Sequence, residues 1–531
     1  MQCNRSSVDA SPALRFIPTS TAMPRSFTLM LLLLLTACLL CSTVATAEET
    51  LATIPAVIIN PTVGPPTTKV LVAGSGFDPY AAVDIYFDLT DLALAVTDGK
   101  GVFGGIAVQV PASAVPGKHW ITAVERYGIK AAQKPFLVRT DWAQFRFGPD
   151  HNGVNPFENV LNPQTVGSLA LDWSYSTPIY LLRPPIIASG LVYICGNNYT
   201  LYALNAATGG PPQWTWSLCW SFGDAVDTKA NVLYDGSNRD SLYFCDATTG
   251  AFRGEQFIHG TIVAAPTVDN GTVYFTVAWP GTSVYAFDTT TLTIKWTHAT
   301  GGEIFGSPTV ANGIVYAASN DGYLYALNAH TGALVWKFAT TGAFWTNAMA
   351  APAVANGVVY FPSWNGYLYA FDANNGTILW QRAINGIGAS SPALVNGVVY
   401  VGSLDGNFYA VSKTTGELLW QFSAGGGVWA SPAVANGVVY VGSLDGNIYA
   451  LNASTGALLW QYATGASVYS SPAVVNGILY TGSENGNVYA FSLPSGEISQ
   501  KFSPPERPDP KLLLPDLSLR PSTPVTRMPS D

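Results

Sequence analysis

The sequence predicts an all-β protein: an eight-bladed β-propeller of four-stranded blades with a small β-sandwich in front of it. Three observations carry that expectation. A unit of about 40 residues recurs along the second part of the chain, the mark of a repeat architecture. The units are punctuated by Asn-Gly, Asp-Gly and Thr-Gly dipeptides that join short apolar runs as hairpins. Only 11% of the 531 residues are charged, against roughly 25% in ordinary soluble domains, while 51 Gly, 15 Trp and 26 Tyr supply turn and strand formers.

In chain order, residues 1–47 form an export signal with an upstream extension. From Ser26 to Ala47 the chain reads SFTLMLLLLLTACLLCSTVATA, an apolar core behind Arg25 and ending in small residues. Met23 is a plausible initiator. Two processing routes stand open: cleavage after Ala45-Thr46-Ala47, or a lipobox reading of Leu35-Thr36-Ala37-Cys38 in which Cys38 becomes a lipid anchor. The expected location is therefore extracellular or periplasmic, with a cell-envelope lipoprotein as the second route. Net charge is −9, and no basic patch appears, which argues against nucleic acid as a partner. Beyond the signal, no uncharged apolar run approaches the roughly 18 residues of a spanning helix, so no transmembrane helix is expected in the mature chain. Cys195, Cys219 and Cys245 follow the signal. One disulfide plus one buried thiol suits an oxidising compartment, and the pairing is left open.

Residues 48–140 alternate strand-length apolar runs with turn signals: IPAVIINP, TKVLVAGSGF, AAVDIYFD, GVFGGIAVQVP, KHWITAVER and KPFLVRT. Six or seven strands in this length read as a sandwich. The segment KVLVAGSGFDPYAAVDIYFD with TDGKGVFGG resembles the immunoglobulin-like modules of secreted bacterial proteins, without their Cys–Trp–Cys signature. His119 is expected on a strand surface.

Residues 141–167 form a lead-in, and the propeller is expected over 168–502. Residues 391–420 read SPALVNGVVYVGSLDGNFYAVSKTTGELLW and 431–460 read SPAVANGVVYVGSLDGNIYALNASTGALLW; Pro352, Pro392, Pro432 and Pro472 step by 40. Both Asn436-Gly437 and Asp445-Gly446 suggest type I′ hairpins. Eight third strands can be counted, from TLYALNAATG at 200 to NVYAFSLPSG at 487. The second unit reads AFRGEQF where the others carry Trp. LALDWSY, at 169–175, looks like an outer strand without its own first three, and is expected to pair with the last blade and close the ring. Trp296, Trp336, Trp380, Trp420 and Trp460 keep the beat of the repeat and read as a structural ladder, each ring packing on the Gly turn of a neighbouring blade. Residues 503–531 carry eight Pro and read as a disordered tail.

The unit SPAVANGVVYVGSLDGNIYALNASTGALLW resembles the pyrroloquinoline-quinone-type (PQQ-like) propeller repeat, as does the lead-in DWAQFRFGPDHNGVNP. The resemblance covers 141–502 and implies a fold shared by quinoprotein dehydrogenases and by non-catalytic, BamB-like assembly lipoproteins. The chain departs from the dehydrogenases. It has no adjacent Cys pair for the quinone to stack on, and no Cys-x-x-Cys-His haem site. Its Asp and Asn residues sit mostly in hairpin turns rather than as calcium ligands, and its five His are scattered.

The reading that follows is an exported non-catalytic scaffold whose propeller face binds a protein or glycan, with no catalytic residues, metal or cofactor expected. The alternatives are a PQQ- and calcium-dependent dehydrogenase of alcohols or sugars, and a carbohydrate-binding or adhesive surface protein. Near the channel mouth, three residues before the repeat Pro, stand Val263, Phe305, Met349, Ala389, Trp429 and Tyr469. Phe305, Trp345, Trp429 and Tyr469 are the candidate ligand funnel; the competing role for them is to plug the channel.

Overall fold

A computed structural model of the chain describes residues 54–178, 180, 183–217, 223–237, 240–340 and 350–494. The signal with Cys38, Cys219, Trp345 and the Pro-rich tail lie outside the described residues.

Alternation of side chains divides the N-terminal region into two sheets over one core. Strands Ala56–Asn60, Lys69–Ser75 and Phe103–Gln109 make a three-stranded sheet. The other is five-stranded, ordered Val63–Gly64, Ala131–Val138, Gly117–Glu125, Ala82–Phe87, Thr90–Val96. Val57, Val70 and Val72 from the first face Ile85, Phe87, Ile121 and Phe136 from the second. Two of these strands, Val63–Gly64 and Thr90–Val96, have no counterpart in the sequence reading. His119 is not on the surface. It is buried, stacked on Phe87, with Nδ1 2.7 Å from an Asp88 carboxylate oxygen and Nε2 2.7 Å from the Val115 carbonyl. The Asp88 turn supplies a partner for the ring that strand alternation alone does not reveal.

Beyond residue 168, eight four-stranded arrays follow one another. Blade 1 begins with Ile186–Ala188, and the innermost strands of the next blades are Asp224–Asp227, Thr267–Asp269, Thr309–Ala311, Ala353–Ala355, Ala393–Val395, Ala433–Ala435 and Ala473–Val475. Each innermost strand touches the next, and the last returns to the first, so the ring is closed. The chain achieves closure by exchanging one strand. Ala170–Ser176 pairs antiparallel with Asn487–Ser492 and becomes the outer strand of blade 8. Backbone bonding thus joins the two ends of the propeller.

The turns differ in kind. Asn312, Asn356, Asn396, Asn436 and Asn476 have positive φ, as do the glycines after them, which is the type I′ geometry. The Asp-Gly turns do not share it. Gly446 is left-handed, at φ +88, but Asp445 is not, because its carboxylate is used as a clasp. It accepts from Asn447 N–H at 2.8 Å, from Gly425 N–H at 2.8 Å and from Tyr449 Oη at 2.6 Å. Asp405 holds Tyr409, and Asp321 holds Tyr325, both at 2.6 Å.

The Trp ladder packs across blades. A Cβ on Gly332, Gly376, Gly416 or Gly456 would lie 2.5–2.7 Å from the ring of Trp296, Trp336, Trp380 or Trp420 of the preceding blade. Each of those indoles donates Nε1–H to a carbonyl of the turn it covers, at 2.9–3.1 Å. Trp460 donates to Leu169 on the exchanged segment at 2.9 Å. Trp173 on Gly209 and Trp214 on Gly250 extend the ladder to blades 8 and 1.

Candidate functional site

The lead-in makes a circuit of the propeller axis. Thr140 exchanges two hydrogen bonds with the Asn476 side chain in blade 8. Trp142 bridges to Ile187 in blade 1 and Gln144 to Ala225 in blade 2. The Gln144 side chain accepts from Val268 N–H in blade 3 at 2.9 Å. The carbonyls of Pro149, Asp150, Asn152 and Gly153 then accept from Val310, Val354, Leu394 and Val434 in blades 4 to 7, at 2.7–3.0 Å. Val154–Asn155 pairs parallel with Val434–Ala435, and Asn155 Nδ2 donates to Val474 in blade 8 at 2.8 Å. The innermost strands would otherwise present unpaired N–H groups to the channel, and this segment satisfies them in order.

Two buried basic residues pin the circuit. Arg146 donates to the carbonyls of His151 at 3.0 Å, Pro432 at 3.1 Å and Pro392 at 2.5 Å. Burial pushes its guanidinium down to about 9. The two ring nitrogens of His151 lie 2.9 and 3.2 Å from the hydroxyls of Thr309 and Thr267. Burial, and then the Arg146 charge, push His151 down to about 3, so the ring is neutral and donates from one nitrogen only; both hydroxyls spend their own protons on the Pro308 and Pro352 carbonyls, at 2.6 Å.

Phe145, whose ring meets that of His151 at 5.5 Å, forms one wall of a cavity of about 240 Å³ on the axis. Phe305, Ala389, Trp429 and Tyr469 line it together with Pro184, Ser307, Ser391, Ser431 and Ser471. Three of the four funnel candidates, Phe305, Trp429 and Tyr469, are thus brought together; Trp345 lies outside the described residues. Trp429 meets Tyr469 edge to face, centroids 5.8 Å apart. Val263 is buried and does not line the cavity. The sequence reading missed Phe145 and the serines. The serines were legible as the residue before Pro308, Pro392, Pro432 and Pro472, whereas Phe145 reaches the axis only through the path of the lead-in.

Blade 2 departs from the repeat beside this cavity. Asp224 takes the place of the repeat Pro, and Asp235 that of an apolar residue such as Val441; the two are directly paired across adjacent strands. Both are buried, close to Arg183. Burial raises Asp224 to about 6, while the hydrogen bond to Asp235 and the Arg183 charge act against it. Cys195 is disulfide-bonded to a residue outside the described set, and Cys245 is free and buried, its thiol pushed up to about 12 mainly by burial. Among the described residues, no group of three or more His, Cys, Asp or Glu is placed to hold a metal.

A closed ring of four-stranded blades, with Trp-on-Gly contacts between successive blades and an aromatic cavity on the axis, defines a PQQ-like β-propeller. The chain belongs to the family described as outer membrane protein assembly factor BamB, whose model matches residues 210–393 and 364–507, together more than half of the chain. No curated protein matches it. Among solved structures it is similar to BamB from Moraxella catarrhalis, at 21% identity and TM-score 0.53, over 62% of this chain and 98% of that one. A europium-containing methanol dehydrogenase matches at 14% identity and TM-score 0.58, over 66% and 98%. The quinohemoprotein alcohol dehydrogenase from Comamonas testosteroni matches at 17% and TM-score 0.59, over 70% and 82%. At such identities the structural likeness speaks for the fold.

The dehydrogenase resemblance implies a quinone and calcium. The described residues that line the cavity do not fit them: they offer aromatic rings, Pro, Ala and serine hydroxyls, with no carboxylate or amide to ligate calcium and no cation to face quinone carboxylates. No step is derived through either group.

Proposed function

We propose that the protein is an exported, non-catalytic scaffold of the cell envelope that binds a protein partner in an assembly process. Family membership supports the reading, and the observation that carries it is a repeated feature of the rim. The outer strands of blades 4, 5 and 6 expose apolar pairs, Leu334 with Val335, Ile378 with Leu379, and Leu418 with Leu419, at 39–52% of their surface. Blade 7 adds Leu458 at 45%. Each pair stands at a β-bulge on a sheet edge that has no strand partner among the described residues, where an incoming extended segment finds both backbone bonds and apolar contact. The sandwich module, immunoglobulin-like in our reading, serves as a spacer, and processing at Ala47 or Cys38 decides whether a lipid anchor is present.

The test is deletion of the gene in its host, with fractionation of the tagged protein. Envelope location and reduced outer-membrane protein levels, restored by the wild type but not by a Leu379→Asp/Leu419→Asp variant of unchanged melting temperature, are expected. Cytosolic location, or full rescue by that variant, would overturn the reading. Dye reduction with alcohols or sugars after loading with PQQ and Ca²⁺ would establish the dehydrogenase instead.

A further inference from the structure

We propose that the axial cavity binds an uncharged ring compound carrying acceptor oxygens on one edge. The inference rests on the cavity alone and is independent of the scaffold reading.

Size comes first. At about 240 Å³ the space exceeds the roughly 150 Å³ that holds a benzene molecule in an engineered apolar cavity, so it admits one ring with substituents or a fused pair. The room has a local cause. Phe305, Trp429 and Tyr469 occupy equivalent positions in blades 4, 7 and 8, and in blade 6 that position is Ala389. With Ala there, blade 6 adds no ring of its own to the wall, and Trp364 of blade 5 lies against neighbouring Gly388, its ring 6.2 Å from that of Trp429. The aromatic walls are half-buried rather than packed to closure, which leaves their surfaces to a planar guest.

Polarity narrows the class. The Ser391, Ser431 and Ser471 hydroxyl oxygens each accept a backbone N–H from the preceding blade, those of Ala351, Ser391 and Ser431, all at 2.9 Å. Their O–H protons, and that of Ser307, have no protein acceptor among the described residues, and all four serines line the cavity. The wall therefore offers donors. A ligand with carbonyl, ester or ether oxygens on one edge meets them, whereas a sugar would bring hydroxyl donors that find no carboxylate or amide among the described lining residues. No charged side chain lines the cavity among the described residues, so an ionised guest would lose hydration without a partner.

Three probes of similar shape test this by calorimetry and Trp fluorescence on the full mature chain: coumarin, a neutral fused ring with carbonyl and ring oxygens; naphthalene, without acceptors; and 2-naphthoate, which is charged. Coumarin is expected to bind saturably, with naphthalene and 2-naphthoate each at least about threefold weaker, the scale of one net hydrogen bond. Ala389→Trp is expected to abolish coumarin binding, since an indole at that position fills the cavity from blade 6. Ser307→Ala, at a hydroxyl that accepts no backbone bond, should weaken coumarin about two- to tenfold and leave naphthalene unchanged. It decides the case if the Ala389 variant does not fold. No coumarin binding, equal binding to Ala389→Trp, equal affinity for naphthalene, or tighter binding of methyl β-glucopyranoside would each overturn the proposal.

Discussion

Phe244 in blade 2 stands directly opposite Gly254, and a Cβ on Gly254 would lie 2.8 Å from its ring. In other blades the equivalent pair is Ala with Trp, as in Ala326 with Trp336 or Ala410 with Trp420. The missing Trp of AFRGEQF is thus a swap: the ring comes from the third strand and the outer strand yields its place. The next blade follows suit. Where Gly332 or Gly456 receives a Trp, blade 3 has Leu292 at φ +55, and Phe244 packs on Phe287 at 5.9 Å.

Restoring the repeat should therefore need three changes. Phe244→Ala is expected to cost about 3–5 kcal/mol as a core truncation. Adding Gly254→Trp should recover little while Leu292 occupies the receiving turn, and adding Leu292→Gly should recover only part of it, because Gly254 sits at φ +157, where a side chain is strained. Urea midpoints with Leu292→Gly alone as control would measure this; full rescue by the double variant would show that Leu292 does not obstruct the ring.

Ring closure by Ala170–Ser176 makes a second test. Deleting residues 141–176 removes both the outer strand of blade 8 and the axial circuit, and a loss of cooperative thermal unfolding is expected. An unchanged melting temperature would show that the exchanged strand is dispensable.

Arg146 is held by three buried carbonyls. Arg146→Met should destabilise by about 3 kcal/mol or more, because those acceptors lose their donors without access to water. Arg146→Lys, a charge without the planar fork, should recover only part. A Met variant as stable as the wild type in urea would remove Arg146 as the pin of the lead-in.

The pH dependence follows from two buried groups of opposite sign. His151 is depressed to about 3, so its contribution is full above the unfolded value of roughly 6.5 and is lost as pH falls, by about 2 kcal/mol at pH 5. Asp224 is raised to about 6, so its contribution is full below roughly pH 4, lost as pH rises through 6, and flat beyond. Urea midpoints at pH 7.5 and 5 should show the acid loss steepened in Asp224→Asn and reduced or reversed in His151→Gln. Parallel profiles in all three proteins would contradict the assignment.

The repeat made the propeller legible, because each blade states its own turns: Asn-Gly demands positive φ at two positions, and a 40-residue beat repeats that demand until the blades can be counted. The closing strand was legible for the same reason, as an outer strand lacking the rest of its blade. The Asp-Gly turns misled, since the Asp445 carboxylate clasps Tyr449 and Gly425, partners distant in sequence or set by the hairpin itself.

The axis was decided by tertiary structure alone. Residues 141–155 carry no strand-length apolar pattern, and their order comes from pairing with eight innermost strands whose edges have no other partner. That path carries Phe145 to the cavity and buries Arg146 and His151. The low charge content belongs to the sequence, because tight turns and buried strands leave few places for long charged side chains. The placement of the remaining buried charges, Arg146 on its carbonyls and Asp224 against Asp235, depends on contacts that form only when the ring closes.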